Sequence, residues 1–172
     1  MSRSSIKVSD NLVQKDEEQS DYLVRQLFNV NIRLFNINQS YRKIIIDICN
    51  YMEKVLKQDY SDYNKLSGIS GANVGIPYNI IIALIDEKPV IMINPTITRV
   101  SKKKVSLQSN CGSLKLPASF PVERREWLEV SFYDIDGKHK IEKFYATSGG
   151  ATIQHEIDHN RGVLITDTKK HI

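Results

Sequence analysis

Two histidines four residues apart, with a glutamate directly after the first, are the residues in this chain best spaced for chemistry. They lie in Gln154-His155-Glu156-Ile157-Asp158-His159. On a helix, positions i and i+4 share a face, so both imidazoles can reach one ion, and Glu156 is placed to handle the proton of a water held there. This is the HExxH pattern. A catalytic divalent-metal site takes three protein ligands and keeps a position open for water or substrate. Completion downstream is not expected: Gly162 satisfies the longer pattern HExxHxxGxxH, but Ile165 stands where its third histidine would be, and little sequence follows His159. The remaining soft ligand is Cys111. A His₂Cys set would hold a divalent metal with the thiol deprotonated by coordination.

The elements that must position these residues follow from periodicity and turn signals. Ala151 to Asn160 reads as one short helix after the Gly149-Gly150 break, with Ser148 as its N-cap and Gly162 just beyond its end. A longer amphipathic helix begins at Ser40, its expected cap, and places Tyr41, Ile45, Ile48, Met52 and Val55 on one stripe. Cys49 falls inside that helix and reads as a small core residue. From about Ser67 the texture changes to short β-branched runs. Ile80 to Ile85, Val90 to Ile93, Thr96 to Val100 and Leu128 to Phe132 read as strands, and Asp136-Gly137 is a hairpin signal. Helix, strands, then helix is an α+β plan, mostly antiparallel, around the metal-binding helix.

The chain has 172 residues, of which 41% are hydrophobic and 26% charged, with a formal charge of +4. That is enough for one buried core and too little charge for a dedicated nucleic-acid binder; no apolar run approaches the ~18 residues of a membrane span. Lys102, Lys103 and Lys104 read as a solvated strand edge or turn. Residues 1–20 are polar, without lasting periodicity, and are expected to form a flexible tail before a single domain over 21–172. The start of the chain carries no apolar signal segment, and there are only two cysteines, so a reducing cytoplasm is the expected compartment. His139 in the hairpin and His171 near the last residue are expected at the surface.

Beyond the histidine motif, Met92-Ile93-Asn94-Pro95-Thr96-Ile97, Cys111 with Ser113 and Leu114, Val122-Glu123-Arg124, and Asn160-Arg161-Gly162-Val163-Leu164 with Asp167 complete a set of blocks. In these the sequence resembles the peptide deformylases from about Tyr41 onward. The stretch Asp59 to Leu66 resembles the Gram-positive, second class of that family. The resemblance implies removal of the formyl group from the N-terminal methionine of newly made polypeptides. It implies Cys111, His155 and His159 as ligands of one divalent ion, Fe²⁺ expected, with Zn²⁺, Ni²⁺ or Co²⁺ able to replace it. Glu156 would be general base and acid. The oxyanion donors would be the backbone N–H of Gly112 and the amide of a glutamine in the motif GxGxAxxQ.

That glutamine is missing. Ser67-Gly68-Ile69-Ser70-Gly71-Ala72-Asn73-Val74-Gly75-Ile76 places Asn73 at its position if Val74-Gly75-Ile76 sets the register, or Gly75 if the motif is counted from Gly68. Asn73 offers the same amide with about 1.5 Å less reach. The family's EGCLS reads Ser109-Asn110-Cys111-Gly112-Ser113 here, so the acid two places before the cysteine is gone, and Arg124 is expected to lack its usual partner. Gly68 and Ile69 would pair with the peptide backbone, and Ala151 and Thr152 would line the methionine pocket. The implied partners are formylmethionyl nascent peptides and, transiently, the ribosome. No membrane or specific nucleic-acid partner is implied, and the protein is expected to be a monomer. The departures leave open an alternative: a catalytically impaired, deformylase-like peptide-binding or regulatory module.

Overall fold

A computed structural model describes residues 27–61, 67–111, 119–167 and 171–172. Two helices open the described chain, α1 (Ile32–Ile37) and α2 (Gln39–Ser61), and α3 (Gly150–Asn160) nearly closes it. Seven strands lie between: β1 (Gly68–Ser70), β2 (Ile80–Ile85), β3 (Lys88–Val100), β4 (Lys104–Ser109), β5 (Phe120–Arg125), β6 (Trp127–Tyr133) and β7 (His139–Tyr145). All strand pairs are antiparallel. They form a five-stranded sheet in the order β1-β2-β3-β6-β7 and a separate β4-β5 ribbon.

The run Ile80-Ile81-Ile82-Ala83 is apolar without alternation because β2 is covered on both faces. Ile80 and Ile82 pack with Ile45, Cys49, Met52, Val55 and Leu56 of α2. Ile81 and Ala83 pack instead with Met92, Leu128, Val130 and Phe132 and with Ile153 and Ile157 of α3. The large sheet is thus a wall between α2 and α3. On the far side of α3, Val122 of β5 packs with Cys111 and Ile165.

Several expected boundaries move for identifiable reasons. The N-terminal end of α2 is capped by Asn38, whose Oδ1 accepts from the N–H of Tyr41 at 2.9 Å, and not by Ser40, which already lies inside the first turn. Val90 to Ile93 and Thr96 to Val100 are halves of one strand. Asn94 bends it with a φ of 54°, and its side-chain amide holds both the N–H and the C=O of Val30 at 2.8 Å. The N-cap of α3 is Gly149, with no side-chain cap, rather than Ser148. A Cβ on Gly149 would lie 2.1 Å from Ile85, so this glycine lets the helix start against β2. The Asp136-Gly137 turn joins β6 to β7 as expected, and the lysines lie at a turn and strand edge, with Lys103 bound to Glu126 at 2.5 Å. The 1–20 tail and residues 62–66 of the stretch beginning at Asp59 lie outside the described residues.

Cys49 is fully buried, and burial, with a small push from Glu53, raises its thiol pKa to about 12. At pH 8 only about one molecule in 10⁴ then carries a thiolate there. Native protein treated with iodoacetamide at pH 8 is expected to remain unmodified at Cys49, and guanidinium-unfolded protein to alkylate fully, as read by peptide mass spectrometry.

Candidate metal centre

Helix α3 is polar almost all round yet buried. Gln154, Glu156, Asp158, His159 and Asn160 are all among the buried residues, and Ile153 and Ile157 are its main apolar anchors. A helix of that composition is stable inside a protein only if each polar side chain is met by a partner.

The expected ligand residues converge. Cys111 Sγ lies 3.4 Å from His159 Nε2, which lies 2.9 Å from His155 Nε2, and the three atoms fall within 4.8 Å of one another. His155 and His159 are four apart on α3, and Cys111 reaches them from the end of β4. The arrangement fits a divalent cation of borderline softness: one sulfur and two imidazole nitrogens, each ligating through a lone pair, aimed at one spot. Ligation requires neutral imidazole. Lost hydration pushes His155 down to about 3, and the positive charges of Arg124 and His171 add to the effect.

Glu156 is buried beside this cluster. Burial raises its carboxyl pKa to about 8, opposed by the charge of Arg124 and a hydrogen bond from Ser70. Its Oε2 has no hydrogen-bond partner among the described residues. That oxygen keeps its capacity to accept a hydrogen bond from a polar molecule entering the site.

Arg124 does not lack a partner. It is 2% exposed and forms a buried ion pair through Nη1 with Oδ2 of Asp158, while Nη2 lies 3.4 Å from Nδ1 of His155. The carboxylate missing from position 109 is supplied by α3 itself, an arrangement not apparent from the β4–β5 sequence. Asp158 also faces Arg161 at 3.6 Å. His171 is half-buried, with Nε2 2.9 Å from the Leu164 carbonyl, and not a surface residue. The missed signal was α3's composition: a helix with two long apolar residues and five buried polar ones must bind other segments through those polar groups.

The other expected site residues divide. Gly68 abuts α3 so closely that a Cβ there would lie 2.5 Å from Thr152 Cγ2 and 2.9 Å from Glu156 Cγ. Thr152 is half-buried and touches Ser67, hydroxyl to hydroxyl, at 3.0 Å. Ala151 is half-buried in the first turn of α3. The Ile69 side chain points away into the α2 core, leaving its backbone on β1, an edge of the five-stranded sheet. Asn73 is buried in the 3₁₀ turn Gly71–Val74, where its Oδ1 accepts from the N–H of Ser70 at 3.0 Å and from the Ser70 hydroxyl. Gly75 has a φ of 69° and open space around its Cα. Gly112 lies outside the described residues.

An α+β frame that buries a thiol, two imidazoles and a carboxylate around one short helix has the build of a hydrolase. The sequence model of polypeptide deformylase matches residues 13–172, and the chain belongs to that family. A peptide deformylase of Synechocystis is 30% identical over 141 residues, 78% of this chain and 69% of that protein. One from Chloroflexus aurantiacus is 29% identical over 117 residues, and the match spans 61% of its length. Among solved structures, a Synechococcus elongatus peptide deformylase in complex with actinonin is 25% identical, with a TM-score of 0.68 over 98% of this chain and 81% of that one. The class I type b enzyme of Acinetobacter baumannii shares the fold at 22% identity, with a TM-score of 0.69 over 91% of this chain and 97% of that one.

Removing one member of a buried ion pair strands the other charge and costs about 3–5 kcal/mol. Arg124→Met and Asp158→Leu are each expected to lose stability on that scale in urea unfolding. The double variant is expected to lose clearly less than the sum, because no charge is left alone.

Proposed function

We propose that this protein is a metal-dependent hydrolase that removes the N-formyl group from the N-terminal methionine of newly made polypeptides, acting in the cytoplasm as a monomer. The observation that carries the reading is the convergence of Cys111, His155 and His159 beside the buried, partly unpartnered carboxylate of Glu156, in a chain of the deformylase family. Among the described residues no helix is long and apolar enough to cross a membrane.

Cys111, His155 and His159 would hold one divalent ion, Fe²⁺ in the cell by resemblance. When bound, that ion supplies Lewis-acid polarisation of the formyl oxygen and a water acidic enough to react near neutral pH. The chain's own groups do the rest. Glu156 accepts the proton of the attacking water and returns it to the departing amine; its raised pKa suits a group that must both take and give a proton near neutrality. Asn73, with the backbone N–H of Gly112, donates to the charge that develops on the formyl oxygen. The sheet-edge strand β1, at Gly68 and Ile69, receives the peptide as an added strand, and Ala151 and Thr152 line the methionine pocket. Gly68 has no side chain because Thr152 and Glu156 occupy the space one would need.

Nickel-loaded protein is expected to hydrolyse a formyl-Met-Ala-Ser peptide at a rate at least 10²-fold above that of Glu156→Ala, a margin typical of losing a general base, about 10²–10⁴. A rate equal to that control would favour the binding-module alternative. One equivalent of divalent metal is expected by elemental analysis of the purified protein, falling well below one in Cys111→Ser. Unchanged metal content in that variant would show the third ligand to be misassigned.

A further inference from the structure

We propose that Ser70 is a positioning residue, its hydroxyl and backbone N–H fixing the direction of the Asn73 amide so that the shorter side chain can serve as the oxyanion donor. The inference rests on the deformylase reading and deepens it.

Asn73 sits on a 3₁₀ turn of four residues that follows directly from β1. Its amide has two faces to present, an acceptor and a donor, and only the donor suits a developing oxyanion. Both bonds to Ser70 go to the acceptor: the backbone N–H at 3.0 Å and the hydroxyl, which must donate because a carbonyl-type oxygen only accepts. The trigonal amide carbon then turns Nδ2 away from Ser70. With one methylene fewer than glutamine, Asn73 has one rotatable bond fewer to lose and less reach to correct a misdirected amide. The grip of Ser70 on the oxygen therefore bears directly on its aim.

The same hydroxyl is tied to the reaction centre. Ser70 is fully buried and its hydroxyl also reaches the Glu156 carboxyl; with a single proton it donates to the Asn73 oxygen or to the carboxylate, and while donating to Asn73 it can accept from Glu156 in its protonated form, so one side chain touches both the proposed base and the proposed oxyanion donor. A second anchor keeps this turn in register with α3. Asn160 Oδ1 accepts from the N–H of Ala72 at 3.3 Å, while its Nδ2 donates to Asn79 at 3.1 Å and to the Ile80 carbonyl at 3.3 Å. The turn is therefore fixed by Asn160, and the side chain upon it by Ser70.

The test is a double-variant cycle on the nickel-loaded protein with a formyl-Met peptide, combined with NMR of the ¹⁵N-labelled side-chain amides. Ser70→Ala keeps the backbone bond, so metal content and melting temperature are expected to stay near wild type. Its kcat is expected to fall about tenfold with KM unchanged, a fraction of the ~10²–10³ lost when an oxyanion donor is removed outright. Ser70→Ala/Asn73→Ala is expected to be no slower than Asn73→Ala alone, and the Asn73 side-chain amide signal, assigned by its loss in Asn73→Ala, to shift in Ser70→Ala. An active wild type whose Ser70→Ala variant keeps its kcat, or in which the two losses multiply, would overturn this inference and leave the deformylase reading standing. A wild type no faster than Glu156→Ala would overturn both.

Discussion

Everything around the site follows from burying one polar helix. An unpartnered polar group in the interior costs about 1–3 kcal/mol, and α3 carries five buried polar side chains in eleven residues. Each is met by a different piece of chain. Gln154 exchanges hydrogen bonds with the backbone of Arg125, accepting at 2.9 Å and donating at 3.0 Å. Asp158 takes Arg124, Glu156 takes Ser70, His159 meets Cys111, and Asn160 holds Ala72, Asn79 and Ile80. The β4–β5 ribbon, the edge strand with its 3₁₀ turn and the start of β2 are thereby set against one helix. The contacts that satisfy α3 are the same contacts that place the reactive groups.

One cation organises the electrostatics of that interior. Arg124 neutralises Asp158, helps keep the His155 imidazole uncharged, and draws the Glu156 carboxyl back from the still higher value that burial alone would impose. Low local dielectric makes each of these effects larger than it would be in water. A guanidinium suits all three because it stays charged in the interior and offers several donors in a fixed plane. Losing it would leave Asp158 as an uncompensated charge one residue from a proposed ligand, His159, and three from the other.

How much of this is legible in the sequence depends on whether the signal is local. The strand Ile80–Ile85, the hairpin at Asp136-Gly137, the α2 stripe through Met52 and Val55, and the helix carrying His155 and His159 are all local patterns of period or turn chemistry, and they were readable. Asn38 and Ser40 are both good caps, and only the first hydrogen-bonded turn decides between them. Asn94-Pro95 looks like a strand break because a left-handed residue and a proline usually make one; the strand continues because the Asn94 amide is held by Val30, 64 residues away. The partner of Arg124 and the half-burial of His171 are likewise long-range facts with no local trace. Ser70 was hidden for a different reason, since a serine in a glycine-rich turn has many uses and only its two contacts single it out.

The two motif departures acquire a common physical sense in this setting. A carboxylate placed before Cys111 would approach Arg124 from the end of the β4–β5 ribbon; Asp158 approaches it from the helix that also bears both histidines, so the ion pair and the histidines share one element. On the proposed reading, in which Asn73 stands for the family's glutamine, the shortened amide loses reach but also loses a torsion, and its oxygen is held by Ser70. Both changes move a positioning task from a longer, freer side chain to a neighbour already held by the packing around α3. Preorganisation of donors before the reaction begins is where electrostatic catalysis draws most of its effect. A site can thus depart from its family's residue types and keep the function of those residues, provided the replacement atoms are held as firmly as the originals.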